Sequence, residues 1–206
     1  MGSDAGANQG VIDAIRAGSP VLLPTDTVYG LVTCAEREEY ASRVYRLKGR
    51  LETQPTALLT SSVEKLFACL PELEEDAGLI VRTLLPGPFT LVVPNPARRF
   101  RWLTGRRTDA IGVRVPELSP ATRAVLDAVD CVMATSANDP GGPSPASLDD
   151  VPARIRSAAA AELDEGVLPG TPSTVIDFTG PEPFVIRDGI APAAEAIARV
   201  RAALTA

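Results

Sequence analysis

Val21-Leu22-Leu23-Pro24-Thr25-Asp26-Thr27-Val28-Tyr29-Gly30 runs from three apolar residues directly into a polar turn. The apolar run predicts a first buried strand over 20–24, and the turn sets small hydroxyls at its end. A helix predicted over 36–47, from Tyr40, Val44 and Leu47 at four- and three-residue spacing, then delivers Lys48-Gly49-Arg50 just past its last turn. Hydroxyls and two cations therefore converge on one edge of a sheet. Strand ends of this kind are where open α/β sheets hold ligands, and this chemistry suits a phosphate-bearing one.

Outward from that stretch, helices and strands alternate. A helix over 11–17, closed by Gly18, precedes the first strand, and residues 1–7 are expected to be a flexible N-terminus ahead of one domain spanning 8–206. A strand over 56–60 leads to Ser61 and Glu64, which stand at capping-box spacing for the next helix. A further helix over 74–84 stops before Pro86-Gly87-Pro88. Strands follow at 89–93, 110–115 and 131–135, with a helix over 119–128 between the last two. Residues 140–145 form a Pro/Gly/Ser loop too short to join two domains. The remainder predicts a short helix over 148–157, strands over 173–178 and 183–187, and a closing helix over 192–204. Interleaving without an internal repeat predicts a single α/β domain with a largely buried sheet.

Composition narrows the chemistry. No run of eighteen uninterrupted apolar residues and no charged-then-apolar leader is present, so a soluble cytoplasmic domain is expected, with no membrane partner. At 206 residues it buries a core without a metal or disulfide staple. Cys34, Cys69 and Cys131 form no Cys-x-x-Cys pair and read as small buried apolar residues in a reducing compartment. The chain has no histidine, which excludes Ser-His-Asp and Cys-His hydrolases and the common His-containing zinc sites. Such a toolkit of hydroxyls, amides, cations and carboxylates favours a reaction in which the substrate brings its own nucleophile. A net charge of -6 argues against an overall basic nucleic-acid surface.

Each polar cluster also has a plain structural reading. Thr25 to Tyr29 can be a capped turn, and Lys48 and Arg50 can be cations at a helix C-terminus. Ala134-Thr135-Ser136-Ala137-Asn138 ends a strand and runs into a glycine-rich loop, exposing hydroxyls, an amide and backbone donors together. Ser173 and Thr174 open a late strand and Arg187 closes the next. Arg98, Arg99, Arg101, Arg106 and Arg107 surround Phe100 and Trp102; this segment reads as a solvated loop anchored by its aromatics, as a nucleic-acid element, or as a flap beside an anionic ligand.

Seven motifs in order carry a family resemblance: Pro24 to Leu31 (PTDTVYGL), Lys48-Gly49-Arg50, Leu85-Pro86-Gly87-Pro88-Phe89-Thr90, Ile111-Gly112-Val113-Arg114, Ala134 to Asn138 (ATSAN), Ser173-Thr174-Val175-Ile176-Asp177 and Ile186-Arg187-Asp188-Gly189. Over residues of roughly 10 to 190 the chain resembles the YrdC-like threonylcarbamoyl-AMP synthase family. That resemblance implies a YrdC-like fold, a twisted mixed sheet flanked by helices with an open ligand cleft. It implies a nucleotidyltransferase that makes threonylcarbamoyl-AMP and pyrophosphate from L-threonine, bicarbonate or CO2, and ATP. Mg2+ is expected to ride on the ATP phosphates rather than in a protein metal site. The product would pass to a threonylcarbamoyl transferase complex acting on tRNA.

Carried over by position, the resemblance makes Lys48 and Arg50 the catalytic cations on the ATP phosphates, with Gln54, Ala110, Ser136, Asn138, Ser144 and Arg187 further ATP contacts. Thr27, Tyr29, Arg114, Ala134 and Ser173 fall on the threonine side, Arg114 suiting a bidentate grip on the amino-acid carboxylate. Two departures stand out. Leu51 and Gln54 replace a proline and an asparagine or lysine, and Leu59 stands where many members have a histidine in the threonine pocket, which bears on selectivity for threonine. The extra C-terminal domain of longer relatives is not expected here, and a lid is expected from loops or a partner. The alternative function is a double-stranded RNA or tRNA-binding module, a property the resemblance also implies; a carbamoyl-transfer domain of larger enzymes fits less well without zinc-finger cysteines.

Overall fold

The computed structural model describes residues 2–205, with side chains from residue 8 onward except at position 76. Its elements, in chain order, are α1 (Gly2–Arg16), β1 (Val21–Leu23), β2 (Gly30–Cys34), α2 (Glu38–Lys48), β3 (Ala57–Leu59), α3 (Val63–Cys69), α4 (Glu72–Asp76), α5 (Gly78–Leu84), β4 (Phe89–Pro94), β5 (Ala110–Arg114), α6 (Pro120–Asp127), β6 (Val132–Ser136), α7 (Ala153–Arg156), β7 (Ala161–Glu162), β8 (Thr174–Asp177), β9 (Phe184–Arg187) and α8 (Ala193–Leu204). Among the described residues nine strands form one mixed sheet in the order β7-β1-β2-β6-β3-β5-β4-β8-β9. Pairs β1/β7, β3/β5 and β4/β8 are parallel and the other five are antiparallel.

The period-2 alternation of strands gives the two faces of this sheet different fates. Leu22, Leu31, Leu58, Met133, Val113, Leu91 and Ile176 point to one side, into a continuous core with Val44, Leu66, Val81 and Val200 from α2, α3, α5 and α8. Each such side chain, fully removed from water, contributes roughly 1.5–3 kcal/mol. The opposite face is divided. Val21, Leu23, Val32, Leu59 and Val132 are roofed by Val11 and Ile15 of α1 and Val125 and Leu126 of α6. Beyond that roof the same face carries a cross-strand row of small residues, Ala134 beside Ala57 beside Gly112, which continues through Val92 to Asp177. Small side chains there leave the sheet uncovered, and the space above them is the main cavity.

Several elements differ from the sequence expectation. The first helix reaches back to Gly2 rather than starting at 11. Strand β2 was not expected: the polar turn is a hairpin connection, with Leu23 paired to Gly30, and five residues of strand precede α2. The helix expected over 74–84 is two, broken at Ala77, whose φ of -132° leaves the helical region. Ser62, not Ser61, caps α3, its hydroxyl accepting from the Lys65 amide at 3.2 Å. The helix expected over 148–157 is a 3-10 turn at Leu148–Asp150 followed by α7. In the arginine-rich segment the anchored-loop reading holds: Trp102 donates its indole N–H to the Ala35 carbonyl at 2.9 Å and meets Phe100 edge to face at 6.1 Å.

Candidate functional site

The cavity occupies about 530 Å3 over the uncovered half of the sheet, a size typical of small-molecule sites. Its floor and walls include Gly30, Ala57, Gly112, Ala110, Ala134 and Ser136, and its charged lining is Arg50, Arg107, Arg114, Arg187 and Asp177.

Arg50 reaches this wall through local backbone chemistry. Gly49 ends α2 in the left-handed conformation, φ 71°, with its amide on the Arg46 carbonyl and the Arg50 amide on the Tyr45 carbonyl at 2.9 Å. The chain is thereby turned back toward the sheet. Arg50 donates to Thr135 Oγ1 at 3.3 Å and to the Pro55 carbonyl, and its buried Nε has no partner.

Lys48 is placed differently from Arg50. It is 3% exposed and lies behind the wall, donating to the Ser136 carbonyl, the Asn138 carbonyl at 2.9 Å and Asn138 Oδ1 at 2.8 Å. Asn138 Oδ1 also accepts from the Ser136 hydroxyl at 2.6 Å, and its amide donates to the Gly142 carbonyl. The ammonium thus organises the loop after β6. Burial, with Arg50 adding repulsion, pulls Lys48 down to about 8.

On the far side of β3, Arg114 emerges from β5 with its Nη2 held by Asp26, by Thr27 Oγ1 at 2.6 Å and, more loosely, by Thr25 Oγ1. Asp26 Oδ2 accepts from the Glu117 amide at 3.2 Å. Thr25 in turn folds its own turn, donating to the Val28 carbonyl at 2.8 Å and accepting from two amides. The capped-turn reading and the site reading are therefore the same geometry. Burial lowers the Arg114 pKa, opposed by Asp26, and its buried Nε also lacks a partner. Arg187 is lowered by burial and then by Arg114 and Arg50, so two neighbouring guanidiniums press on it across the cavity. Such an arrangement calls for an anionic guest.

Ser173 joins Arg187 to β4: its hydroxyl meets Thr90 Oγ1 at 2.8 Å, and Arg187 donates to its carbonyl at 2.8 Å. At the other end of the floor, Arg107 donates to Asp177 Oδ2 at 2.9 Å and to Thr179 at 2.8 Å, pinning the β4–β5 loop across β8. Burial works to raise Asp177, but the bonds from Thr179 and Arg107 outweigh it and hold the carboxyl below its ordinary value.

Of the residues singled out from sequence, Arg50, Ala110, Arg114, Ala134, Ser136, Ser173 and Arg187 line the cavity. Thr27, Lys48 and Asn138 support it from behind through the bonds above. Gln54 is exposed and Ser144 half-buried, and neither lines the cavity. Tyr29 is fully buried; its hydroxyl donates to Asp164 and to the Gly166 carbonyl and accepts from the Glu165 amide at 3.0 Å, so it fastens the segment over 163–173 instead of forming pocket wall. Leu59 is the register partner of Arg114, but it belongs to the apolar cluster with Val125 and Val132 and does not line the cavity. Asp26, Thr90 and Asp177 carry no site role in the sequence reading, and Arg107, which lines the cavity, enters there only through the nucleic-acid and flap readings of its segment. Asp26 has a signal there, since a buried arginine needs a counter-ion and the quoted turn contains one carboxylate.

No helix among the described residues is long and apolar enough to cross a membrane. The Sua5/YciO/YrdC family model, described as "Telomere recombination", matches residues 13–189. A threonylcarbamoyl-AMP synthase of Pyrococcus abyssi is 35% identical over 182 residues, covering 88% of this chain and 53% of that protein. The crystal structure of P. abyssi Sua5 complexed with L-threonine superposes with a TM-score of 0.81 at 30% identity, over 96% of this chain and 58% of that one. The Escherichia coli YciO crystal structure, 24% identical, shares the fold with a TM-score of 0.79 over 92% of each chain. The chain thus spans little more than half the length of its Pyrococcus relative. With a family match over residues 13–189 and a shared fold over nearly the whole chain, this protein belongs to the Sua5/YciO/YrdC family.

Proposed function

We propose that the protein is an L-threonylcarbamoyladenylate synthase, a nucleotidyltransferase. The observation that carries the reading is the cationic cavity itself: Arg50 and Arg114 each keep a buried, unpartnered Nε, and Arg187 feels both. The Pyrococcus abyssi relative bears the synthase name, and the P. abyssi Sua5 structure is of a complex with L-threonine.

In this reading the threonine amine captures CO2 as a carbamate, whose oxygen attacks the α-phosphorus of ATP while pyrophosphate leaves. The substrate supplies the nucleophile, so the protein's work is alignment and charge stabilisation. Arg114, pre-oriented by Asp26 and Thr27, takes the amino-acid carboxylate. Arg50 and Arg187 take phosphate oxygens, and Lys48 holds the Ser136–Asn138 loop in place with its charge close behind. Mg2+ enters with ATP as part of the substrate. A tRNA-modifying threonylcarbamoyl transferase would consume the product.

Incubation with ATP, threonine and isotopically labelled bicarbonate tests the proposal. Label is expected in threonylcarbamoyl-AMP by mass spectrometry; label absent from any nucleotide product contradicts it. Salt-sensitive duplex-RNA binding indifferent to ATP would favour the RNA-binding alternative. Two of the five arginines of the 98–107 segment already face carboxylates, Arg99 on Glu72 and Arg107 on Asp177, which weakens that alternative.

A further inference from the structure

Thr90 of β4 stands in a cross-strand row with two of the arginines that line the cavity. Leu91 pairs with Val113, and one step further along that ladder Thr90 comes opposite Arg114; on its other side Thr90 pairs with Val175, and Val175 with Arg187. Leu91 points into the core, so Thr90 is left on the opposite face, and all four members of the row line the cavity. At a strand spacing of about 4.8 Å, Thr90 is one strand from Arg114 and two from Arg187. Hydrogen counting there leaves a donor over. Thr90 Oγ1 and Ser173 Oγ lie 2.8 Å apart and share one hydrogen bond, which uses one of their two hydroxyl hydrogens. Ser173 Oγ also accepts from Arg187 Nη2 at 3.2 Å, a bond that uses neither. The two hydroxyls have no other bond among the described residues, so one hydrogen of the pair lacks an acceptor in the chain. A hydroxyl that accepts from a guanidinium is polarised into the better donor, so the bonds run from Arg187 to Ser173 to Thr90 and leave the Thr90 hydrogen for a guest.

We propose that Thr90 is a further catalytic residue, donating its hydroxyl hydrogen to the CO2-derived oxygen that gains charge as the carbamate forms; the assignment rests on the synthase reading above. With the amino-acid carboxylate on Arg114, the carbamate carbon lies three bonds from the carboxylate carbon, roughly 3–4 Å at about 1.5 Å per bond. That span is comparable with the one-strand step from Arg114 to Thr90. In the step itself the amine lone pair forms the N–C bond, one C–O π pair moves onto oxygen, and an amine proton leaves to water. Charge thus appears on an oxygen that was nearly neutral, and a donor already aimed at that oxygen stabilises the product of the step more than its reactant. The threonine side-chain hydroxyl could also accept this hydrogen, but it is neutral. A row closed at both ends by guanidiniums favours the acceptor that carries charge.

The test measures pyrophosphate release against added bicarbonate in degassed buffer, at saturating ATP and threonine, for the parent, Thr90→Val and Thr90→Ser, with threonine affinity taken separately by calorimetry without bicarbonate. Thr90→Val keeps the branched shape of a strand residue and removes the hydroxyl. It is expected to lower kcat/KM for bicarbonate about tenfold or more, the loss of a hydrogen bond to a charged oxygen, while threonine affinity stays at the parent's value. Thr90→Ser returns the hydroxyl and should recover most of that loss. An unchanged kcat/KM for bicarbonate in Thr90→Val would overturn the assignment. So would a matching fall in threonine affinity, which would give the hydroxyl to the amino acid, or a Thr90→Ser as impaired as Thr90→Val, which would make packing the cause. A parent that releases no pyrophosphate with all three substrates present would instead remove the synthase reading, and this assignment with it.

Discussion

Arg114 meets the cavity already oriented, because Asp26 and Thr27 hold its Nη2 while its Nε is left without a partner. Arg114→Lys keeps a charge for Asp26 but loses the fork, so calorimetry should find threonine binding weakened about tenfold or more with ATP binding retained; the reverse pattern would contradict the assignment. Arg50→Ala is expected to lower turnover on the order of 100-fold, the loss of a contact to developing charge. Lys48 adds a pH dependence. With its ordinary value pulled down to about 8 by burial, the ammonium is in place below that pH and lost above it. ATP affinity measured from about pH 7 to about pH 9.5 should therefore fall by up to about tenfold per unit above the midpoint, because the anion favours the protonated form; affinity flat across that range removes Lys48's charge from the account. Residue types were legible in the sequence because hydroxyls and cations at strand ends announce themselves. Depth was not: whether Lys48 faces a ligand or the carbonyls of Ser136 and Asn138 depends on how the loop after β6 folds, which no local pattern encodes.

At the scale of elements, the segment over 163–173 has almost no regular structure, and specific bonds tie it down. Leu163 donates to the Leu22 carbonyl, Leu168 to Ala146 and Gly170 to Thr27, with Tyr29 fastening Asp164 through Gly166 beneath it. Burial pushes the Tyr29 hydroxyl up to about 12, so it donates throughout the ordinary pH range. Removing it in Tyr29→Phe leaves Asp164, Glu165 and Gly166 without that partner, and denaturant unfolding should register a loss of about 1–2 kcal/mol. Unchanged stability would mean the segment is held by its backbone bonds alone. Helices with clear three-and-four spacing, such as α2 and α8, were legible from sequence. Strand β2 was hidden because Gly30–Cys34 is short, largely apolar and directly follows a turn that reads equally well as the approach to a helix. β7 has two residues and exists only through its pairing with β1, a long-range cause that periodicity cannot report.

For the whole molecule, the decisive arrangement is a sheet with one face fully covered and the other covered by α1 and α6 over only part of its width. Ala134, Ala57 and Gly112 lie side by side on the uncovered part, so the room for a ligand is written as missing side-chain volume. Ala134→Leu should fill that room, weakening ATP binding about tenfold or more while circular dichroism and thermal unfolding stay close to the parent's; intact binding would place the ligand elsewhere. Net charge is -6, yet four of the five charged residues lining the cavity are arginines, so charge is segregated instead of spread. The measurement that tests this account most directly is pyrophosphate release from ATP with threonine or bicarbonate left out in turn. The account predicts release only when both are present with ATP and its loss in Arg50→Ala; release indifferent to threonine and bicarbonate, or none with all three present, would contradict it.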